Sequence, residues 1–221
     1  MAYLKLPVCY DMLKIVNFLK SYGNQVILDI PCLEIPNGIH WIKGGNGSGK
    51  STFLKTVAGM LDFNGEIILN NFTSLKTQPA VYRSHVNFSE AEPLFPSFLT
   101  GNDLLKLFLA AKKGAIKQID PMLDELGIRL FIEQPVQTYS SGMLKKLSLV
   151  LAFIGKPSLI LLDEPLITID TAALNVLYKW IVAKHFDDGT CFIITSHQEI
   201  NKKKLPLTSE FLVDQNTLVL L

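Results

Sequence analysis

Apolar and polar positions change rhythm along this chain, and each rhythm predicts an element. Leu13 to Phe18 and Val26 to Ile35 are rich in β-branched and aromatic residues, and Ser21-Tyr22-Gly23-Asn24 between them is a turn, so two strands are expected. A third strand, Ile39 to Lys43, runs into a glycine-rich stretch and then a helix-like segment, Phe53 to Ala58. Asp62 to Gly65 reads as a turn and Glu66 to Leu69 as a short strand; a polar segment follows to Ala80, and strand signals return at His85 to Phe88. Pro93 and Pro96 make Glu90 to Pro96 a loop. Apolar residues then recur at helical spacing from Thr100 to Ala111, behind a cap at Thr100 or Asn102, and again from Ile116 to Leu126. Tyr139-Ser140-Ser141-Gly142-Met143 opens a further helix to Phe153, with Ser140 or Ser141 as its cap. Leu159 to Leu162 is an unbroken apolar run, as in a parallel strand buried on both faces. Thr171 to Lys184 is helical, Asp187-Asp188-Gly189 a turn, Thr190 to Thr195 a second buried strand, and Phe211 to Leu221 two short strands around Asp214-Gln215-Asn216.

At 221 residues the chain suits one domain with a large core. Lys plus Arg number 21 against 20 Asp plus Glu, a formal charge of +1, so no global field favours nucleic acid or an anionic membrane. The hydrophobic fraction of 48% and mean hydropathy of +0.28 leave an apolar excess suited to a docking surface. The longest apolar stretch, Leu147 to Leu162, is interrupted by Lys156-Pro157, and no bilayer span is expected. Met1 to Pro7 lacks the basic region, apolar core and cleavage site of a secretion signal. Cys9, Cys32 and Cys191 lie among apolar residues, as expected of buried thiols in a reducing compartment.

The stretch Gly44-Gly45-Asn46-Gly47-Ser48-Gly49-Lys50-Ser51-Thr52, set between strand and helix, has the order of a phosphate-binding P-loop. Glycines at 44, 45, 47 and 49 are expected at positive φ, curling backbone N–H groups around phosphate oxygens at the positive end of the next helix. Lys50 would reach the β- and γ-phosphates of a triphosphate, the Ser51 hydroxyl would ligate Mg²⁺, and Thr52 would lie near the α-phosphate. Asp163 and Glu164 end an apolar strand, where carboxylates are costly unless used: Asp163 suits the Mg²⁺ shell and Glu164 the attacking water. His197 follows the next buried strand and suits a hydrogen bond to a γ-phosphate, or simply an exposed terminus. Tyr22 suits stacking on adenine and, equally, an ordinary turn. Ser140, Ser141 and Gly142 at a helix start serve as a cap or as a second phosphate-binding surface.

The order of P-loop, Pro-containing loop, Tyr139-Ser140-Ser141-Gly142-Met143, Asp163-Glu164-Pro165 and Ser196-His197 resembles the ATP-binding cassette family, specifically the nucleotide-binding subunit of a transporter. Met143, where Gln is usual, resembles the signature of exporter-type members. The resemblance implies an α/β fold: a P-loop NTPase core with a mainly parallel sheet, an N-terminal antiparallel β subdomain and an inserted α-helical subdomain. Residues 1–90 and 155–221 would form the core and 91–154 the helical and signature part. It assigns adenine stacking to Tyr22, the second Walker motif to Asp163 and Glu164, the D-loop to Ile167-Thr168-Ile169-Asp170 and the switch histidine to His197. Ser140 and Gly142, with Ser141, would meet the γ-phosphate bound by an opposite subunit. ATP and Mg²⁺, a second cassette (identical or not) and a transmembrane permease are therefore the implied ligands and partners, at the cytoplasmic face of a membrane. Two departures stand out: Ser141 replaces the first signature glycine, and Glu92, taken as the best-aligned residue, replaces the Q-loop glutamine. The loss of an amide donor there is expected to alter coupling. A cassette acting on ribosomes or DNA would carry duplicated cassettes, a long arm or a basic surface, and a P-loop kinase would not need Tyr139 to Met143. A cassette that hydrolyses ATP poorly and acts as a regulatory module is the remaining alternative.

Overall fold

A computed structural model describes residues 11–221, so Cys9 and the segment Met1 to Pro7 lie outside the described residues. β1 (Asp11–Tyr22) and β2 (Gln25–Pro36) form a hairpin longer than their apolar centres suggested, leaving only Gly23 and Asn24 as the turn. The extension works because one face of the sheet is open to water: on β2, Leu28 and Ile30 are buried while Asp29 and Cys32 are exposed. The expectation of a buried thiol therefore fails at Cys32 and holds at Cys191. β3 (Ile39–Lys43) leads into the glycine-rich loop and α1 (Lys50–Val57). β4 (Asn64–Leu69) pairs with β1 and with the short β5 (Thr73–Ser74), completing a four-stranded antiparallel sheet in the order β2-β1-β4-β5.

Two elements were not expected in the polar segment, β5 and α2 (Pro79–His85). At seven residues α2 is too short to show a period; it starts on proline and is anchored by the fully buried Tyr82. After β6 (Val86–Ser89) and the proline loop come α3 (Gly101–Ala111) and α4 (Ile116–Glu125). Thr100, not Asn102, caps α3, in a reciprocal box with Asp103. Two short 3₁₀ turns, Ile128–Leu130 and Val136–Thr138, precede α5 (Ser141–Ala152). Then follow β7 (Leu159–Asp163), α6 (Thr171–Asp188), β8 (Cys191–Thr195), β9 (Ser209–Asp214) and β10 (Thr217–Leu220). The expected turn at Asp187-Asp188 is the last turn of α6, where Lys184 pairs with Asp188 at 2.7 Å, and Gly189 ends the helix at φ 72°.

The second sheet has six strands in the order β10-β9-β3-β8-β7-β6; all its neighbours are parallel except β9 and β10. Every residue of β7 and β8 is buried, because both faces are covered. Ile160, Leu162, Phe192 and Ile194 face a core shared with α3, α4, α5 and α6. Leu159, Leu161, Cys191 and Ile193 face a second core shared with α1 and the antiparallel sheet. The parallel direction of β3, β8 and β7 brings Lys43, Thr195 and Asp163 to one edge of the sheet. Among the described residues no helix is long and apolar enough to cross a membrane.

Candidate functional site

Three chain segments meet at that edge. The first is the loop after β3. Gly44 has φ 155°, and a Cβ there would stand 2.6 Å from Ser48 Oγ; Gly49 has φ 105° and directly precedes α1, which has no side-chain cap. Backbone N–H groups of the first helical turn are thus left without a side-chain acceptor and point toward the loop. Gly45 departs from expectation: it is not at positive φ, and a Cβ there would meet nothing within 4 Å. The crest at Asn46 and Gly47 is exposed, as is Ser51, while Thr52 is half-buried.

Lys50 is buried and its ammonium curls into the concavity, donating to the carbonyls of Gly44 at 2.8 Å and Gly45 at 3.0 Å. Ser48 Oγ is buried without a hydrogen-bond partner. A depression of about 170 Å³ beside the loop is lined by Gly47 to Thr52 and by Ile27 of β2, an apolar residue with no motif to announce it. Tyr22 does not line this depression; its ring is half-exposed at the end of β1, with the Lys20 ammonium 4.8 Å from its centre.

The second and third segments follow β7 and β8. Thr195 stands level with Asp163 in the sheet, and its hydroxyl donates to Asp163 Oδ1 at 2.6 Å while accepting from the Glu164 N–H at 3.1 Å. Glu164 sits in the left-handed region at φ 43°, a strained conformation for a non-glycine residue that re-aims the side chain after the strand ends. Its Oε2 accepts from the His197 N–H at 3.2 Å and meets His197 Nδ1 at 2.9 Å; its Oε1 lies 3.8 Å from Lys50 Nζ. Lys50, Asp163, Glu164 and His197 are therefore brought together. A buried cation, free helix amides and an aimed carboxylate suit the binding of a polyphosphate and the orientation of a nucleophile beside it.

The remaining candidates form a separate surface. Ser140 caps α5 by accepting from the Met143 N–H at 3.3 Å, and both Ser140 and Ser141 are exposed. Gly142 packs so tightly on the segment after β7 that a Cβ would stand 2.8 Å from the Thr168 carbonyl oxygen. One helical turn on, Lys146 pairs with Asp170 at 2.8 Å. Asp170 also caps α6 through the Ala173 N–H, and the hydrogen bond from Lys146 holds its carboxyl well below the usual range, at about 2.

Glu92 is exposed and forms no ion pair among the described residues. Glu90, directly after β6, is the inward carboxylate of this loop: it pairs with Lys55 of α1 at 3.2 Å. The sequence pattern points to Glu92 alone, whereas the ion pair to α1 is made by Glu90. The sequence also gave Lys145 no role, although it is fully buried, with burial lowering its pKa to about 8.

Residues 33–167 match the family profile described as ABC transporter. The chain is 31% identical over 188 residues to the lantibiotic transport ATP-binding protein SrtF of Streptococcus pyogenes, covering 84% of this chain and 80% of that protein. It is 28% identical over 194 residues to the cytochrome c biogenesis ATP-binding export protein CcmA of Legionella pneumophila, covering 87% and 96%. Among solved structures, an ATP-binding subunit of an ABC transporter superposes with a TM-score of 0.83 at 22% identity over 94% of this chain and 88% of that one. A dimeric ATP-binding cassette bound to ADP and Pi gives 0.76 at 19% identity, covering 94% and 96%.

Proposed function

This chain belongs to the ABC transporter family as an ATPase subunit, and from that premise we propose how its residues bind and hydrolyse ATP and what they dock against. The observation that carries the proposal is the Lys50–Glu164–His197 cluster at the carboxyl edge of the sheet, beside the glycine-rich loop. The loop amides and Lys50 hold the phosphates, and the orphaned Ser48 hydroxyl and the uncapped first turn of α1 fit an anion there. Ser51 and Asp163, the latter through water, are the residues that would hold Mg²⁺, which supplies charge neutralisation when bound. Glu164 orients and deprotonates the attacking water, and His197 fixes that carboxylate while leaving Nε2 toward the terminal phosphate. Thr195 keeps Asp163 and the Glu164 backbone in register.

Ser140, Ser141 and Gly142 act on the ATP held by a second cassette, and Asp170 crosses between the two. The exposure of Ser140, Ser141 and Asp170 supports this reading. The membrane-spanning partner docks on a groove of about 260 Å³ between the β6 edge and the helices, where Phe88, Leu94, Phe95, Phe108 and Leu151 supply an apolar lining. Leu94 is 90% exposed there, and Phe98 and Leu107 nearby are also exposed. On this reading the subunit works at the cytoplasmic face of a membrane. Phosphate release from Mg²⁺-ATP tests the chemistry: Glu164→Gln is expected to lower kcat about 100-fold while retaining ATP, so that an ATP-bound dimer accumulates on gel filtration. Turnover equal to the wild type would remove Glu164 from the mechanism.

A further inference from the structure

Lys145 is the fully buried cation of α5, flanked on its own helix by the buried Leu147, Ser148 and Leu149. Among the described residues its ammonium has no carboxylate at ion-pair distance. It is satisfied by three backbone carbonyls: Glu90 at 2.6 Å and Ala91 at 3.3 Å after β6, and Asp163 at 2.7 Å at the end of β7. The charges of Asp163, Glu164 and Glu90 favour its ammonium from beyond ion-pair distance, so its close partners are the three carbonyls; an apolar side chain of similar length would fill the space but remove the donor from all three, so packing alone does not account for the residue. The segments it joins have different tasks. Glu90 lines the docking groove together with Pro93, Leu94 and Phe95, whereas Asp163 precedes the carboxylate aimed by His197.

Two other polar ties fasten α5 to β6: the Ser89 and Ser148 hydroxyls 2.9 Å apart, and Asn87, which donates to the Ala152 and Ile154 carbonyls at 2.8 Å. Neither reaches β7. The geometry points to Lys145 as a positioning residue that fixes the distance between the groove-lining loop at Glu90-Ala91 and the Asp163-Glu164 end of β7, so that displacement at the groove moves the hydrolytic carboxylate. The inference rests on the ATPase reading above. It also makes α5 a common strut, with Ser140 to Gly142 at its start and Lys145 one turn further on, braced against the chain's own hydrolytic edge.

The test uses the full chain with Lys145→Met, Lys145→Gln and Lys145→Arg, read by steady-state ATPase kinetics and by amide hydrogen exchange across residues 88–95. Lys145→Met is expected to lower kcat about tenfold with KM for ATP changed less than about twofold, and to speed exchange at residues 90–92. Lys145→Arg, which keeps the charge and several donors, restores both; Lys145→Gln falls between and replaces Lys145→Met if that variant is insoluble. A purely structural lysine would lower the melting temperature of the Met variant while leaving kcat and loop exchange at wild-type values, and that result overturns the proposal. Absence of turnover in the wild type instead sinks the ATPase reading, and the exchange measurement then still decides whether Lys145 holds the loop.

Discussion

Glu164 and Ser141 stand at opposite ends of the proposed chemistry, and their surroundings differ in kind. Glu164 is 8% exposed, its side chain held by His197 and faced by Lys50, its backbone held by Thr195. Ser141 is exposed, and the hydroxyl of its neighbour Ser140 turns back to cap its own helix. The first region is organised within one chain, because fully buried parallel strands deliver its side chains to a single edge and leave them little freedom. The second is a rigid but open surface, braced from behind by the Gly142–Thr168 contact and the Lys146–Asp170 pair. Preorganisation by buried strands is suited to aiming a nucleophile; an open braced surface is suited to a ligand brought by another molecule.

Substitutions in the two regions should therefore fail differently. The largest effect is expected at the closed region: Lys50→Ala removes the cation that curls into the loop concavity and should lower Mg²⁺-ATP turnover at least about 1,000-fold, with ATP affinity reduced as well, measured by phosphate release and by titration of a fluorescent nucleotide. Gly142→Ala strikes the open region, where the added methyl meets the Thr168 carbonyl. Turnover should fall about tenfold and ATP-dependent association should weaken, while the affinity of a single chain for ATP stays within about twofold. Equal losses of ATP affinity in the two variants would erase the distinction between the regions.

A smaller effect concerns the strand beneath the closed region. His40 of β3 is fully buried, its Nε2–H donating to the Pro36 carbonyl at 2.9 Å and its Nδ1 accepting from the Ser209 hydroxyl at 2.6 Å in the neutral ring, and burial lowers its pKa from 6.5 to about 4. The folded chain thus holds this ring neutral where the unfolded chain protonates it. Its contribution is complete above pH 6.5 and is lost as pH falls toward 4, about 3 kcal/mol in all. Urea unfolding at pH 7 and pH 4.5 should show that decline, and His40→Gln should flatten it; an unchanged slope in the variant would assign the acid sensitivity elsewhere.

Much of this arrangement was legible in sequence because buried parallel strands cannot disguise themselves. Leu159 to Leu162 and Cys191 to Ile194 are apolar on both faces, and the residues that end them stand out by contrast. Short or one-sided elements were not. α2 has too few residues to display a period, and Cys32 sits in an apolar-looking strand whose outward face meets water. Glu90 directly follows β6, and that strand ends one residue later than its apolar pattern predicts, so the sequence did not single this glutamate out. Lys145 was hidden for a different reason: a lysine in a helix normally reports a solvated face, and only the three carbonyls from distant segments reveal an inward role.

The most direct test is a crystal structure of the Glu164→Gln chain with Mg²⁺-ATP. The account predicts the triphosphate against the amides between Gly44 and Thr52, Lys50 Nζ moved from the Gly44 and Gly45 carbonyls onto phosphate oxygens, and the terminal phosphate facing position 164 and His197. Nucleotide bound elsewhere, with Lys50 still on those carbonyls, would contradict it.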